Sequence, residues 1–251
     1  MFSMPTLFLS PSTQEYNLYY DGDGSEEYYM NRIADLMEPY LSASGISFTR
    51  NDPGGSVGAS VRKSNSGNYG LHLALHSNAS GSANPGGQRG SDFYYFPGSA
   101  DGRRAADIFV NLFKQIYPVP ERVRALPTTT LYEVRNTVAP TVLAEIAFHD
   151  NAEDAEWIRA NLEVIARTLS MGVAQYFGVP FNEPGVSQSA TVRTSGGRLN
   201  LRSAPSLQGQ VIGHIPNGAS VTVTGRSGNW YAVIYDGQNG YVSAEYVYIN
   251  G

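Results

Sequence analysis

The sequence predicts an α/β domain, with a mostly parallel sheet covered by helices on both faces, followed by a small all-β barrel. Two observations support this prediction. As far as Tyr176, short apolar runs alternate with amphipathic stretches, an order typical of strands that are connected by helices in a parallel sheet. Beyond residue 190, short apolar runs are separated by turn signals such as Asn217-Gly218 and Asp236-Gly237, which are typical of antiparallel strands.

The segment between these two patterns is rich in proline, glycine and polar residues and has no hydrophobic period. We therefore expect a first domain over residues 1–180, a linker over residues 181–189, and a second domain over residues 190–251. A chain of 251 residues is long enough for a core domain with a small appended module.

The elements of the first domain follow from the period of the apolar residues. The predicted strands are 7–9, 46–48, 70–76, 93–96 and 141–148, and the predicted helices are 26–41, 105–116 and 155–176. Pro39 should bend or end the first of these helices, because proline removes a backbone donor and clashes with the preceding turn. The predicted strands of the second domain are 199–201, 211–215, 220–224, 231–235 and 240–242.

Composition excludes several classes of function. The net charge is −5 and no basic run is longer than the pair Arg103-Arg104, which argues against a nucleic-acid partner. The chain has no cysteine, so disulfides, thiolate zinc sites and cysteine nucleophiles are excluded, and histidine and carboxylate are left as metal ligands. No stretch is long enough to span a membrane, and no basic region precedes the short apolar run 6–9, so no signal peptide is recognisable.

Two predicted strands end in side chains that bind metals or transfer protons. The run from Leu71 leads to His76 and then to small polar residues, and the run from Thr141 passes Glu145 and ends at His149. Functional sites of parallel sheets lie at the carboxyl ends of their strands, so two such ends side by side would form a site.

Four segments of the first domain resemble the zinc-dependent N-acetylmuramoyl-L-alanine amidases. They are Ser10-Pro11-Ser12-Thr13-Gln14, Glu26 before Ile33-Ala34, Ser60-Val61-Arg62 leading to His76-Ser77-Asn78-Ala79, and Ala139-Pro140 through Glu145 to Phe148-His149-Asp150-Asn151. The resemblance implies that Glu26 and His76 bind Zn²⁺ and that Glu145 is the acid/base. It also implies that Asn78 contacts substrate.

The chain departs from this family at its first motif. Thr13 stands where the family has a histidine, and no histidine precedes His72. Catalytic zinc normally has three protein ligands, so we expect His149 to replace the missing one, since on a regular strand it shares a face with Glu145. The competing hypothesis is that His149 contacts substrate and that Gln14 or Glu15 completes the metal site.

Each assignment has a simpler structural alternative. We expect His72 to be a hydrogen-bonded core residue, because it lies further back on the same strand as His76. Glu27 competes with Glu26, since either carboxylate would be favoured at the start of a helix. Arg135 is a candidate for binding a stem-peptide carboxylate, or simply a surface charge.

The second domain resembles the bacterial SH3-like domain over roughly residues 190–250. The order and spacing of its turns support the resemblance: Leu199-Asn200-Leu201-Arg202-Ser203-Ala204-Pro205-Ser206, Ile215-Pro216-Asn217-Gly218, Gly228-Asn229-Trp230 and Gly240-Tyr241-Val242.

Together these resemblances imply a monomeric peptidoglycan hydrolase of the cell wall or the exterior. It would use zinc-activated water to cleave the amide between N-acetylmuramic acid and the L-alanine of the stem peptide. Two alternatives stay open. One is a catalytically impaired, wall-binding pseudo-amidase, and the other is a zinc peptidase that acts on another wall amide.

Overall fold

The computed structural model describes residues 5–184, 187–227 and 229–250. Residues 185 and 186 of the predicted linker, and Gly228 of one predicted turn, lie outside this description. The described residues divide into two compact units, one of residues 5–38 and 47–177 and the other of residues 39–46 and 178–250. No helix within the described ranges combines the length and hydrophobicity needed to cross a bilayer.

The first unit is built on a six-stranded sheet with the order β2-β1-β3-β6-β4-β5. Its strands are β1 Thr6–Pro11, β2 Ser47–Arg50, β3 Leu71–Asn78, β4 Ser91–Tyr95, β5 Val123–Pro127 and β6 Thr141–Phe148. Neighbouring strands of this sheet are parallel, except for β4 with β6. The prediction of a mostly parallel sheet therefore agrees with the observed register.

Helices connect these strands. They are α1 Glu26–Ala43, α2 Val57–Asn65, α3 Ala100–Phe113, α4 Tyr132–Asn136, α5 Ala152–Ala160 and α6 Leu162–Phe177. Val134 of α4 packs with Leu143 and Tyr94 on one face of the sheet, whereas Phe93 stacks on Phe109 of α3. Because Phe93 and Tyr94 are consecutive and point to opposite faces, α3 and α4 cover opposite sides of the sheet.

Several predicted boundaries differ from the structure for identifiable reasons. The single helix predicted over 155–176 is two helices, because Asn161 lies outside helical geometry and its side chain donates to the Trp157 carbonyl at 2.8 Å. Helix α3 begins earlier than expected because Ser99 caps it through the Gly102 amide. Helix α1 continues past Pro39 to Ala43, so this proline does not end the helix.

The second unit is an antiparallel sheet with the order β13-β7-β10-β11-β12-β8-β9. Its strands are β7 Gln188–Val192, β8 Leu199–Arg202, β9 Val211–Ile215, β10 Ser220–Ser227, β11 Trp230–Tyr235, β12 Gln238–Ser243 and β13 Val247–Ile249. Five of them match the predicted strands, while β7 and β13 were not predicted. Strand β7 begins at Gln188, inside the predicted linker. A buried apolar cluster that includes Leu201, Val233 and Val242 forms the core of this unit.

Candidate active site

The candidate site lies at the carboxyl end of β3, where this strand pairs with β6. His76 of β3 is the register partner of Glu145 of β6, so both side chains leave the sheet on the face that α4 covers. The two strand ends that the sequence singled out are therefore neighbours in the sheet.

Glu26, at the start of α1, meets His76 from outside the sheet. Its Oε1 lies 2.7 Å from His76 Nδ1, and its Oε2 accepts a hydrogen bond of 2.7 Å from Asn17. Burial would raise the pKa of the Glu26 carboxyl, but the hydrogen bond and charge of His76 outweigh it, so this pKa is lowered. The carboxylate of Glu27 instead accepts from Asn31 at 3.0 Å, so Glu26 is the one of the two that contacts His76.

Glu133 of α4 is the second carboxylate on His76, and sequence reasoning missed it. It is 3% exposed, and its Oε2 lies 3.1 Å from His76 Nε2. Its Oε1 accepts from Ser10 at 2.6 Å and lies 3.1 Å from His72 Nε2. Burial would raise the pKa of Glu133, but hydrogen bonds from His72 and His76 hold it well below its usual value. A helix of five residues is too short to show a helical period, so the sequence carried no signal for it.

His76 is held between these two carboxylates. Burial alone would lower the pKa of its imidazole, yet the hydrogen bonds with Glu133 and Glu26 raise it well above its usual value. His72, expected in the core, is fully buried there, with Nδ1 at 2.9 Å from the Ser64 hydroxyl and Nε2 on Glu133. The two histidines are thus joined through a single carboxylate.

Glu145 differs from these paired carboxylates. Its Oε2 is buried and has no hydrogen-bond partner among the described residues. Burial is the main cause that raises the pKa of this carboxyl to about 7; the charge of His76 opposes the shift, and those of Glu26 and Asp92 add to it. An unpartnered carboxyl that titrates near neutrality is suited to accept and return a proton.

The structure does not bring His149 together with Glu26 and His76. Between His76 and Asn78 of β3, the partner strand β6 contains one extra residue, a β-bulge that turns the following side chains to the other face. His149 Nδ1 consequently lies 2.8 Å from the Ser77 carbonyl oxygen and 3.1 Å from the Ser77 hydroxyl, and its ring stacks on Tyr19.

Gln14 lies beside the contact between Glu26 and His76. Its Nε2 is 3.3 Å from Glu26 Oε1 and 3.4 Å from His76 Nδ1. Its Oε1 accepts from the Tyr16 hydroxyl at 3.0 Å and from Asn17 Nδ2 at 3.3 Å. The neighbouring Glu15 is exposed.

Asn78 and Arg135, the two predicted substrate-binding residues, lie on β3 and α4. Asn78 ends β3, and its Oδ1 accepts from the Ala79 amide at 2.9 Å. Arg135 is exposed on α4, the helix that carries Glu133. A cleft of about 350 Å³ opens at the centre, and its lining includes Ser12, Thr13, Gln14, Asn51, His76 and Glu133.

The donor chemistry of this centre fits a zinc ion in part. Imidazole nitrogen and carboxylate oxygen are ordinary zinc ligands, and His76 and Glu26 present them at one point. Within residues 5–184, 187–227 and 229–250, however, no three histidine or acidic side chains have the spacing of a metal site. Glu133 approaches the opposite nitrogen of His76, so Glu133 and Glu26 do not face the same side of the ring.

The chain belongs to the N-acetylmuramoyl-L-alanine amidase family, whose model matches residues 17–175. A bacterial SH3 domain model matches residues 197–248. Among curated proteins, N-acetylmuramoyl-L-alanine amidase LytC of Bacillus subtilis (strain 168) is 29% identical over 183 residues, which is 68% of this chain and 35% of that protein. N-acetylmuramoyl-L-alanine amidase CwlM of Bacillus licheniformis is 27% identical over 180 residues, with 69% and 68% of the two chains covered.

Solved structures agree with the fold of the first unit. N-acetylmuramoyl-L-alanine amidase AmiC2 of Nostoc punctiforme aligns with a TM-score of 0.61 at 15% identity, over 71% of this chain and 99% of that one. The present chain thus spans about a third of the length of LytC and nearly all of the AmiC2 chain.

Proposed function

We propose that this protein hydrolyses peptidoglycan at the amide between N-acetylmuramic acid and the L-alanine of the stem peptide. The observation that supports this reaction most directly is the unpartnered Glu145 carboxyl beside His76 and Glu26. Membership of the amidase family supports the choice of bond.

In the proposed mechanism, Glu145 moves the protons. Its carboxylate accepts a proton from the water that attacks the amide carbonyl carbon, and it then donates that proton to the leaving nitrogen of L-alanine as the carbon–nitrogen bond breaks. Because burial of the carboxyl raises the pKa of Glu145, its carboxylate is a stronger base than that of an exposed glutamate.

Zinc is the cofactor in this proposal, with Glu26 and His76 among the residues that would hold it. When bound, zinc would polarise the amide carbonyl and increase the acidity of water. His76 must release its proton to bind a metal, so zinc uptake should release protons and weaken as the pH falls.

Analysis of the released groups tests the proposed reaction. Purified sacculi incubated with the zinc-loaded protein should gain free amino groups on L-alanine, without new reducing sugars. A new amino group on another residue would favour the zinc-peptidase alternative. Zinc binding without release of amino groups would favour the wall-binding pseudo-amidase. The observation behind this alternative is that the described residues contain no cluster of three histidine or acidic side chains that could hold a metal.

The acidic side of the pH–rate profile should report Glu145. Its pKa is raised to about 7 without a metal, and the positive charge of a bound cation would lower it. The value of kcat/KM should therefore rise with pH through an apparent pKa at or below about 7, because the ionised form is the base. A profile whose acidic limb lies clearly above this value would contradict the role of Glu145.

We propose that the second unit adds affinity for the wall, which places the protein at the wall or outside the cell. Leu207, Trp230, Tyr231 and Glu245 line a cleft of about 570 Å³ in this unit. A tethered binding module raises the effective concentration of substrate around the catalytic unit.

Trp230→Ala should lower binding to sacculi several-fold, while hydrolysis of a small soluble muropeptide stays close to wild type. Tyr248→Ala is a matched control, since Tyr248 is an exposed aromatic residue of the same unit that does not line this cleft. Co-sedimentation with sacculi measures the binding. An equal loss on both substrates would contradict a separate binding role.

A further inference from the structure

We infer that the side-chain amide of Gln14 supplies the third protein ligand of the metal site, through its oxygen, together with Glu26 and His76. This inference rests on the proposed zinc-dependent function. It assigns to Gln14 the position that the sequence hypothesis gave to His149.

The distances around the Gln14 amide match those between the ligands of a zinc site. Ligand atoms that surround a tetrahedral zinc at about 2.0–2.2 Å lie roughly 3.3–3.5 Å from one another. The amide nitrogen Nε2 of Gln14 lies 3.3 Å from Glu26 Oε1 and 3.4 Å from His76 Nδ1, so the position that it occupies matches two edges of such a site. The third edge, 2.7 Å between Glu26 and His76, is a hydrogen bond that must open when the His76 proton leaves.

The terminal amide of Gln14 can present either its nitrogen or its oxygen to this point. Without a metal, its Nε2 faces both Glu26 and His76. A half-turn of the terminal torsion exchanges nitrogen for oxygen and brings a carbonyl oxygen, a metal ligand, to the same point. The Tyr16 hydroxyl, which now donates to Gln14 Oε1, can accept from the amide nitrogen after this turn. The same turn places the Gln14 amide nitrogen opposite Asn17 Nδ2, so Asn17 loses its 3.3 Å hydrogen bond to Gln14 and keeps the 2.7 Å one to Glu26.

Glu133 orients His76 for this site. A metal-binding histidine usually donates its second ring N–H to a carboxylate, which fixes the tautomer. Glu133 lies on Nε2 of His76, so Nδ1 is the nitrogen left to face Glu26 and Gln14. Glu133 is therefore a positioning residue in this scheme.

The ligand set has one nitrogen and two oxygens, and this composition predicts its metal preference. Carboxylate and amide oxygens suit harder ions than imidazole does, so zinc should bind less tightly than to a site with two imidazoles. Gln14→His should consequently raise zinc affinity by at least about tenfold.

The test measures metal affinity on the full-length protein, by competition with a chromophoric chelator for Zn²⁺ and by the visible absorption of the Co²⁺ form. Gln14→Ala should lower zinc affinity by at least about 100-fold, more than the loss of an outer-sphere partner costs. Gln14→His should raise the affinity and change the Co²⁺ spectrum. His149→Ala should leave the zinc affinity and the Co²⁺ spectrum unchanged, because the His149 ring is hydrogen-bonded to Ser77.

Two results would overturn the inference. One is a Gln14→Ala protein that keeps wild-type zinc affinity, and a loss in His149→Ala would then assign the ligand to His149. The other is a wild-type protein that binds neither ion, in which case these side chains form a structural ion-pair network. The gain expected for Gln14→His keeps the test decisive if Gln14→Ala fails to fold. A wrong ligand leaves L-alanine release intact, whereas failure of the proposed function abolishes that release.

Discussion

Replacing Glu145 with glutamine should lower kcat by about 100- to 10,000-fold and leave the zinc content unchanged. The substitution removes the proton acceptor but keeps the volume of this β6 side chain. Turnover of a soluble muropeptide and metal analysis of the same sample measure the two effects. Glu121→Gln, at an exposed position, is the matched control and should retain wild-type turnover.

The stability of zinc-free Glu145→Gln shows whether its low turnover comes from the loss of the proton acceptor or from a disrupted fold. Folding raises the pKa of Glu145 from 4.5 to about 7, so the folded state holds a proton between these values and the free energy of unfolding falls as the pH rises through them. Glutamine has no such penalty, so the variant should be up to about 3 kcal/mol more stable than wild type at pH 8. A variant that is inactive and also less stable at pH 8 would contradict the assignment.

Replacing Glu133 with alanine should destabilise the first unit by about 3–5 kcal/mol, because it leaves two histidines and a serine without their buried acceptor. The loss should be largest above pH 4.5 and shrink in acid. The lowered pKa of Glu133 means that its contribution is present when the carboxyl is ionised and is lost as the pH falls through the folded value.

Denaturant unfolding followed by near-ultraviolet circular dichroism measures this loss at pH 7 and at about pH 2, well inside the range in which the contribution of the carboxylate is lost. Arg135→Ala, an exposed change on the same helix, should stay within about 0.5 kcal/mol of wild type. Glu133→Gln keeps one acceptor oxygen, so its free energy of unfolding should lie between those of Glu133→Ala and Arg135→Ala. A stability of Glu133→Ala close to that of Arg135→Ala would show that the network around His76 is not needed for folding.

Much of this site could be predicted because a parallel sheet gathers the carboxyl ends of its strands. His76 and Glu145 each follow an apolar run, and the register of β3 with β6 places them side by side. Glu26 was predicted from the resemblance of its segment to the amidase family. Its contact with His76 across 50 positions of sequence has no local signature.

The remaining features depend on irregular backbone. The alternation of side chains along β6 predicted that His149 shares the face of Glu145, but a one-residue bulge reverses the alternation before the strand ends. Glu133 lies on a five-residue helix, which is too short for a periodic pattern. Strands β7 and β13 pair with each other at the edge of the second sheet, and this pairing of distant segments leaves little trace in either one alone.

The most direct test of the account is hydrolysis of a purified muropeptide in water enriched in oxygen-18, followed by mass spectrometry of the products. We expect one oxygen-18 atom in the lactyl carboxyl group of the N-acetylmuramic acid product and none in the peptide, which should begin with a free L-alanine amino group. Glu145→Gln should give neither product above background. Label in a peptide carboxyl group, or an intact bond between muramic acid and L-alanine, would contradict the account.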